Sequence, residues 1–334
     1  MADEETLANK DRSTQLCAKE TSVNGPVTRY SDARTFLLHL SGMLGIALAV
    51  FARVGSLAAG GPETSETKYA LDKNIAYLPQ REQLASEYAQ KMCRLDLYRP
   101  ESVKRFPTVV FYHGGGLTAG KRSVPVALTN RRWAVAGVGY RLHPEVRHPV
   151  YIEDAAAALA WTFKNIESMG GDPKKIFVTG ISAGGYLTAM IGLDKTYLAK
   201  HAIDADQIAG LIPVTGQMIT HFTVRKEQGI EPNQFRPTID KYAPLYHVRK
   251  DAPPILCVTG GWGVDIFMRA EENLYFVSMM KLVGHKAIQH VVIEGADHGR
   301  CGAECWPHVI AFIEARLAEM NAAAQPAAAP LRAP

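Results

Sequence analysis

Ile176-Phe177-Val178-Thr179-Gly180-Ile181-Ser182-Ala183-Gly184-Gly185-Tyr186 is the stretch from which the rest of the chain can be read. A mostly apolar run, Ile176 to Thr179, enters Gly-x-Ser-x-Gly and leaves into a helix-forming segment, Ala183 to Leu193. Strand, sharp turn and helix in that order hold a serine at a strained corner with its hydroxyl presented outward. Glycines at 180 and 184 have a steric task there, because a side chain two residues to either side would run into the neighbouring strand or helix. A Gly-x-Ser-x-Gly match is by itself a weak signal, so its surroundings decide the reading.

The chain has 334 residues and 47% apolar content, enough for one large α/β domain or two small ones with a real core. Its formal net charge is only +4, and Lys and Arg are scattered, which argues against a nucleic-acid partner. Cysteines at 17, 93, 257, 301 and 305 form no Cys-x-x-Cys pair and have no histidine at zinc-ligand spacing, so no metal site is expected.

Residues 1–34 are polar, and 36–52 run apolar with only His39, Ser41 and glycines as interruptions, after Arg29 and Arg34. This resembles a signal peptide, with Ser56-Leu57-Ala58 as a small-x-small cleavage site and a mature chain from Ala59. The long polar leader keeps an uncleaved membrane anchor open, at the lower limit for spanning a bilayer, and a buried helix is the third reading. Export would allow Cys301 and Cys305 to pair across the Gly302-Ala303-Glu304 loop. The chain thus divides into a leader with a signal-like or anchor segment (1–58), a folded domain (59–320) and an Ala/Pro tail with no means of forming a core (321–334).

From Pro62 onward strand-like and helix-like segments alternate, which favours a mostly parallel sheet with helices on both faces. Eight strands are expected: 74–78, 93–98, 108–112, 133–140, 176–179, 208–215, 255–259 and 288–293. The second alternates apolar and polar as a half-exposed antiparallel strand does. Pro213 near the end of the sixth predicts that the chain leaves the sheet there. Helices are expected over 153–166, 183–193, 269–282 and 307–320, with a helical patch over 124–131 and a break at Gly170-Gly171-Asp172-Pro173. The mixed stretch 217–245 reads as an irregular cap over the site.

The chemistry assembles around Ser182. His113-Gly114-Gly115-Gly116 follows a buried strand, and peptide N–H groups at Gly115 and Gly116, with a third at Ala183, suit an oxyanion, each such donor being worth roughly 3 kcal/mol. An ordinary glycine turn is the alternative. A serine hydroxyl needs a base, and His298, in Gly295-Ala296-Asp297-His298-Gly299 after the last strand, is the best placed of the 11 histidines. His113 is read as holding the shape of the glycine loop, and Asp297 as structural. The acid that orients the base is sought after the seventh strand, where Asp265 is the carboxylate in Gly260-Gly261-Trp262-Gly263-Val264-Asp265. A surface turn or a helix cap would equally explain Asp265, and Glu271 or Glu272 is the fallback.

The segments Arg94-Leu95-Asp96-Leu97-Tyr98, His113-Gly114-Gly115-Gly116, Tyr140-Arg141-Leu142 with Pro144, Gly170-Gly171-Asp172-Pro173, Gly180-Ile181-Ser182-Ala183-Gly184-Gly185 and Asp297-His298-Gly299 resemble the α/β-hydrolase esterase/lipase family, near its hormone-sensitive-lipase-like and acetyl or feruloyl esterase-like branches. The resemblance covers roughly 72–320. It implies an α/β-hydrolase fold and a cofactor-free serine carboxylic ester hydrolase of the EC 3.1.1 type, acting through an acyl-enzyme with Ser182, Asp265 and His298 as triad. The substrate it implies is a small-molecule or carbohydrate ester. The family usually carries Gly-Asp-x-Asp after the seventh strand, where this chain has glycines at both acidic places, 261 and 263. Leu117 stands where an aromatic residue is common; Leu117 and Trp262 are read as lining the acyl and alcohol pockets. An amide hydrolase such as an arylformamidase or peptidase, and a catalytically silent binding protein on the same frame, are the competing readings.

Overall fold

Short apolar runs lay out the sheet, because alternate side chains of a strand face opposite sides and the central strands bury both. In the computed structural model, which describes residues 67–230 and 236–324, the strands are β1 (Tyr69–Ala76), β2 (Arg94–Pro100), β3 (Phe106–Tyr112), β4 (Ala134–Val138), β5 (Gly171–Ile181), β6 (Gly210–Val214), β7 (Ile255–Thr259) and β8 (Ile288–Val292). They form one sheet in the order β1-β2-β4-β3-β5-β6-β7-β8. β2 runs antiparallel to both β1 and β4, and every other pairing is parallel. The helices are α1 (Gln80–Leu84), α2 (Glu87–Met92), α3 (Val150–Asn165), α4 (Ala183–Leu193), α5 (Lys195–Ala199), α6 (Phe222–Glu227), α7 (Arg269–Leu282), α8 (His298–Glu304) and α9 (Trp306–Ala323).

On one face Val110, Val178, Leu211, Ile255 and Cys257 pack with Leu159 of α3, Leu187 of α4 and Phe276 of α7. On the other, Val109, Phe177, Ile212, Leu256 and Val258 pack with Val309, Phe312 and Ile313 of α9. Burial on both faces explains why these strands read as continuous apolar runs while β2 alternates. This is the α/β-hydrolase architecture, and the described residues all belong to one compact unit.

Several local expectations are corrected. The stretch 124–131 is no helix: one tight turn, Val126–Leu128, gives way to extended backbone at Thr129 and to left-handed backbone at Asn130 and Arg132. The first strand begins five residues earlier than the apolar run suggested, since its edge position tolerates polar residues. The break ahead of β5 closes at Gly170, and Gly171 already pairs with Phe106. Pro213 does not leave the sheet: it sits opposite Gly180 in the β5–β6 register, and the missing N–H interrupts only the pairing with β7, which holds at Leu211 and Val214. Cys301 and Cys305 are free buried thiols, not a disulfide, because the expected loop between them is helical and sets them one turn apart on α8 and its end. The tail begins later than Asn321, as alanine, the best helix former, carries α9 on to Ala323. The leader, the 36–52 segment and the end of the tail lie outside the described residues. Among the described residues no helix is long and apolar enough to cross a membrane.

The chain leaving β4 is fixed by a buried ion pair. Asp154 of α3, 1% exposed, accepts from the backbone N–H of Arg141 at 3.0 Å and from its guanidinium at 2.9 and 2.6 Å. Removing one partner of such a pair strands the other charge. Asp154→Ala should therefore lower the unfolding free energy of the full chain by about 3 kcal/mol in urea titrations, well beyond an exposed-carboxylate control; an unchanged midpoint would show that the pair contributes nothing.

Candidate active site

The carboxyl ends of the parallel strands converge, and each delivers one polar group. β5 ends at Ile181, and Ser182 takes φ 58° and ψ −116° before α4 begins at Ala183. This strained corner persists because the glycines around it allow backbone to touch backbone. A Cβ on Gly184 would stand 2.0 Å from the Tyr112 carbonyl oxygen, and one on Gly180 would stand 2.4 Å from the carbonyl carbon of Gly184. The first N–H groups of α4 have no acceptor within the helix, so the helix presents free donors beside Ser182.

β3 delivers the glycine loop. Gly114 lies against the corner, since a Cβ there would come within 3.3 Å of the Ser182 Cβ. The loop's carbonyls are all engaged by protein. His113 Nδ1 donates to Gly114 O at 2.8 Å, Thr118 and Ala119 N–H donate to Gly115 O, the Thr223 hydroxyl of α6 donates to Gly116 O at 2.6 Å, and His143 N–H donates to Leu117 O. In a trans peptide the N–H points opposite to the C=O, so the N–H groups of Gly115 and Gly116 are turned away from these anchors. Positive φ at Gly115 and Gly116 makes that path available. His113 stacks on Tyr140, whose hydroxyl donates to His113 O, and burial keeps its imidazole below the ordinary histidine value despite the bond to Gly114. A neutral His113 with Nδ1 protonated fits a loop-shaping role.

The chain after β7 and β8 delivers a carboxylate and an imidazole. His298, first residue of α8, places Nε2 2.9 Å from Ser182 Oγ and Nδ1 2.8 Å from Asp265 Oδ1. Because the carboxylate accepts at Nδ1, that nitrogen carries the proton and Nε2 is the acceptor facing the serine. Asp265 begins the short turn Ile266–Met268, yet its side chain does not cap it. Its Oδ2 instead accepts from Gly260 N–H at 2.9 Å and from the Thr215 hydroxyl at 2.7 Å. Burial raises the Asp265 pKa, but the bonds from His298, Thr215 and Gly260 outweigh burial and bring it below the usual carboxylate value. Asp297 caps α8 by accepting from Arg300 N–H.

The remaining candidates lie elsewhere. Glu271 accepts from Gly263 N–H and Glu272 from Met218 N–H, so neither is bonded to His298. Leu117 is fully buried with φ 63° and packs in the core, and Trp262 is 42% exposed, edge-on to His290; none of their described contacts is with Ser182, Asp265 or His298. Sequence reading missed Thr215 and Thr223, single hydroxyls without a motif around them. The stretch 217–245 has more order than an irregular cap implies: it contains α6, whose Glu227 is buried against His143, His148 and Tyr151.

The BD-FAE family model matches residues 95–265, just over half of the chain. Esterase LipC of Mycobacterium tuberculosis is 28% identical over 228 residues, covering 61% of this chain and 56% of LipC. Carboxylesterase NlhH of the same organism is 43% identical over 101 residues, 28% of this chain and 32% of NlhH. The chain thus matches about half the length, or less, of these curated relatives. Among solved structures, the hyperthermophilic esterase from the archaeon Pyrobaculum calidifontis superposes with a TM-score of 0.54 at 25% identity, covering 66% of this chain and 81% of that one. A truncated carbohydrate esterase from gut microbiota superposes at 0.59 and 19% identity, over 77% and 99%, a likeness of fold.

Glu272 offers a test of the site's electrostatics. Burial pushes its carboxyl up to about 7, against the downward pull of Arg269 and of Met218 N–H. From the ordinary glutamate range to pH 7 the folded state then holds a proton that the unfolded state has released, so this group's contribution to stability falls as pH rises through that window. Glu272→Gln keeps an acceptor for Met218 but cannot ionise. Its melting temperature should vary less than the wild type's between pH 4.5 and 7; parallel curves would rule out the raised carboxyl.

Proposed function

The chain belongs to the BD-FAE family of α/β-hydrolase fold, and from that premise we propose that it is a serine carboxylic ester hydrolase working through an acyl-enzyme. The observation that carries the reading is the continuous hydrogen-bonded line from Ser182 Oγ through His298 to Asp265, set beside the glycine loop. Ser182 Oγ attacks the ester carbonyl as His298 Nε2 takes its proton. Asp265 keeps the Nδ1 proton in place and balances the imidazolium without itself taking the proton. Negative charge on the former carbonyl oxygen is met by the N–H groups of Gly115, Gly116 and Ala183. His298 then gives the proton to the leaving alcohol, and a water repeats the sequence in reverse to free the acid and regenerate Ser182.

The names of the relatives LipC and NlhH support esters ahead of amides. We assign small acyl groups, free or carried on a carbohydrate, as the substrate class. Export, or anchoring through residues 36–52, is the accompanying proposal for localisation, resting on the sequence of that segment.

Wild-type protein should hydrolyse p-nitrophenyl acetate and react with a fluorophosphonate probe, and Ser182→Ala should lose turnover by roughly 10⁴-fold or more while keeping its melting temperature. A panel varying acyl length and leaving alcohol, with an N-formyl aromatic amide as a parallel arm, identifies the class. Turnover of the amide alone would replace the ester reading, and a wild type inert to both panel and probe would replace catalysis with binding.

A further inference from the structure

Resting on the hydrolase reading above, we propose that Thr215 is a positioning residue of the catalytic line, holding Asp265 and His298 in register from the end of β6. Its hydroxyl donates to Asp265 Oδ2 at 2.7 Å, and the same oxygen lies 2.9 Å from His298 Nδ1. The single proton on that oxygen is committed to the carboxylate, so its lone pair faces the imidazole. The Nδ1 proton is then shared between Asp265 Oδ1 and Thr215 Oγ, and acid, base and hydroxyl close a ring of three bonds. The ring fixes the tautomer in which Nε2 is free to accept from Ser182.

Thr215 is itself held on every side. It is completely buried, and its backbone stands at φ 41°, a costly conformation for a β-branched residue. Its N–H donates to Val258 O, its carbonyl accepts from the guanidinium of Arg269, and the following carbonyl, of Gly216, accepts from the Asn273 side chain. Two residues of α7 therefore brace the turn that carries the hydroxyl.

Why the acid needs such a brace follows from the loop that bears it. Trp262, Gly263, Val264 and Ile266 are all exposed, and Asp265 is buried between them. Its carboxylate reaches His298 from a loop with solvent on either side, and among the described residues two donors anchor Oδ2, Gly260 N–H just after β7 and the Thr215 hydroxyl just after β6. Thr215→Val would preserve shape and remove the second anchor together with one of the two acceptors for Nδ1.

The test uses the full-length protein and p-nitrophenyl acetate. Thr215→Val should lower kcat by roughly 10- to 100-fold with KM changed by less than about twofold, and Thr215→Ser should restore kcat to within about threefold of wild type. The effect should be smaller in the background of Asp265→Asn, where only the direct bond to His298 Nδ1 is left to lose; a purely structural role would lower kcat by the same factor in both backgrounds. If the valine variant does not fold, Thr215→Ala against Thr215→Ser reads the same contrast. Wild-type kcat in the valine or alanine variant, or equal losses with and without the Asp265 carboxylate, would overturn the proposal. A wild type that hydrolyses no ester and ignores the fluorophosphonate probe would fail the hydrolase reading instead, and the two failures are told apart by the wild-type control.

Discussion

Backbone touching backbone at the serine corner is the constraint on which the site depends. Where β5 turns into α4, a Cβ on Gly184 would meet the carbonyl of Tyr112 at the end of β3, and one on Gly185 would meet the carbonyl of Val214 at the end of β6. Helix α4 is thereby drawn down between three strand ends at distances no other residue type permits. Ser182 is raised at the apex, with the glycine loop after β3 on one side and Thr215 after β6 on the other. Everything that bears on the serine then arrives at the carboxyl ends of the parallel strands, where open α/β sheets collect their ligands.

Charge in this region is divided between two buried carboxylates that titrate in opposite directions. Asp265 has an imidazole, a hydroxyl and a backbone N–H pointed at it, and these overcome burial. Glu272, on α7, has Arg269 and one N–H, and burial prevails with the charge of Asp265 adding to it. The negative charge is thus concentrated on the carboxylate that faces His298, and the neighbouring one is left partly protonated at neutral pH. Environments that separate the pKa values of nearby groups in this way set them apart in what they can do: here one faces His298 Nδ1, and the other holds Met218 N–H and the chain that follows Thr215.

What could be read from the sequence was whatever leaves a period or a fixed spacing. Unbroken apolar runs in β3, β5, β6 and β7 are imposed by burial on both faces, and Gly180, Gly184 and the glycines after His113 answer steric demands that no other residue meets. The eight strands and the identity of the corner were therefore open to inspection. Elements set by a single tertiary contact were not. Pro213 looked like an exit from the sheet, but a strand bonded through β5 on one side tolerates a missing N–H on the other. Cys301 and Cys305 looked like a looped pair, but the Asp297 cap starts a helix through them. Thr215 and Thr223 matter through what their hydroxyls reach across 50 and 107 residues of chain, and nothing local marks such a partner.

The position of Asp265 shows how far a spacing rule can bend while a carboxylate still reaches His298. Where the family pattern places Gly-Asp-x-Asp, this chain has glycine at 261 and 263, and the carboxylate follows two residues later. The extra length is absorbed locally: Gly263 takes φ 65°, and the N–H groups of Val264 and Asp265 both return to Gly261 O. That turn folds the added residues outward, so Trp262, Gly263 and Val264 are exposed while Asp265 is turned in. The target of the side chain is a point defined by Gly260 N–H, the Thr215 hydroxyl and His298 Nδ1, none of which depends on the length of the intervening loop. Loop closure changes slowly in free energy with each added residue, whereas a buried carboxylate without its donors is costly, so the donors hold the geometry and the loop adapts to it. Chain order, with Ser182 after β5, Asp265 after β7 and His298 after β8, is then the feature the fold fixes, and the number of residues between β7 and the carboxylate is the feature it leaves free.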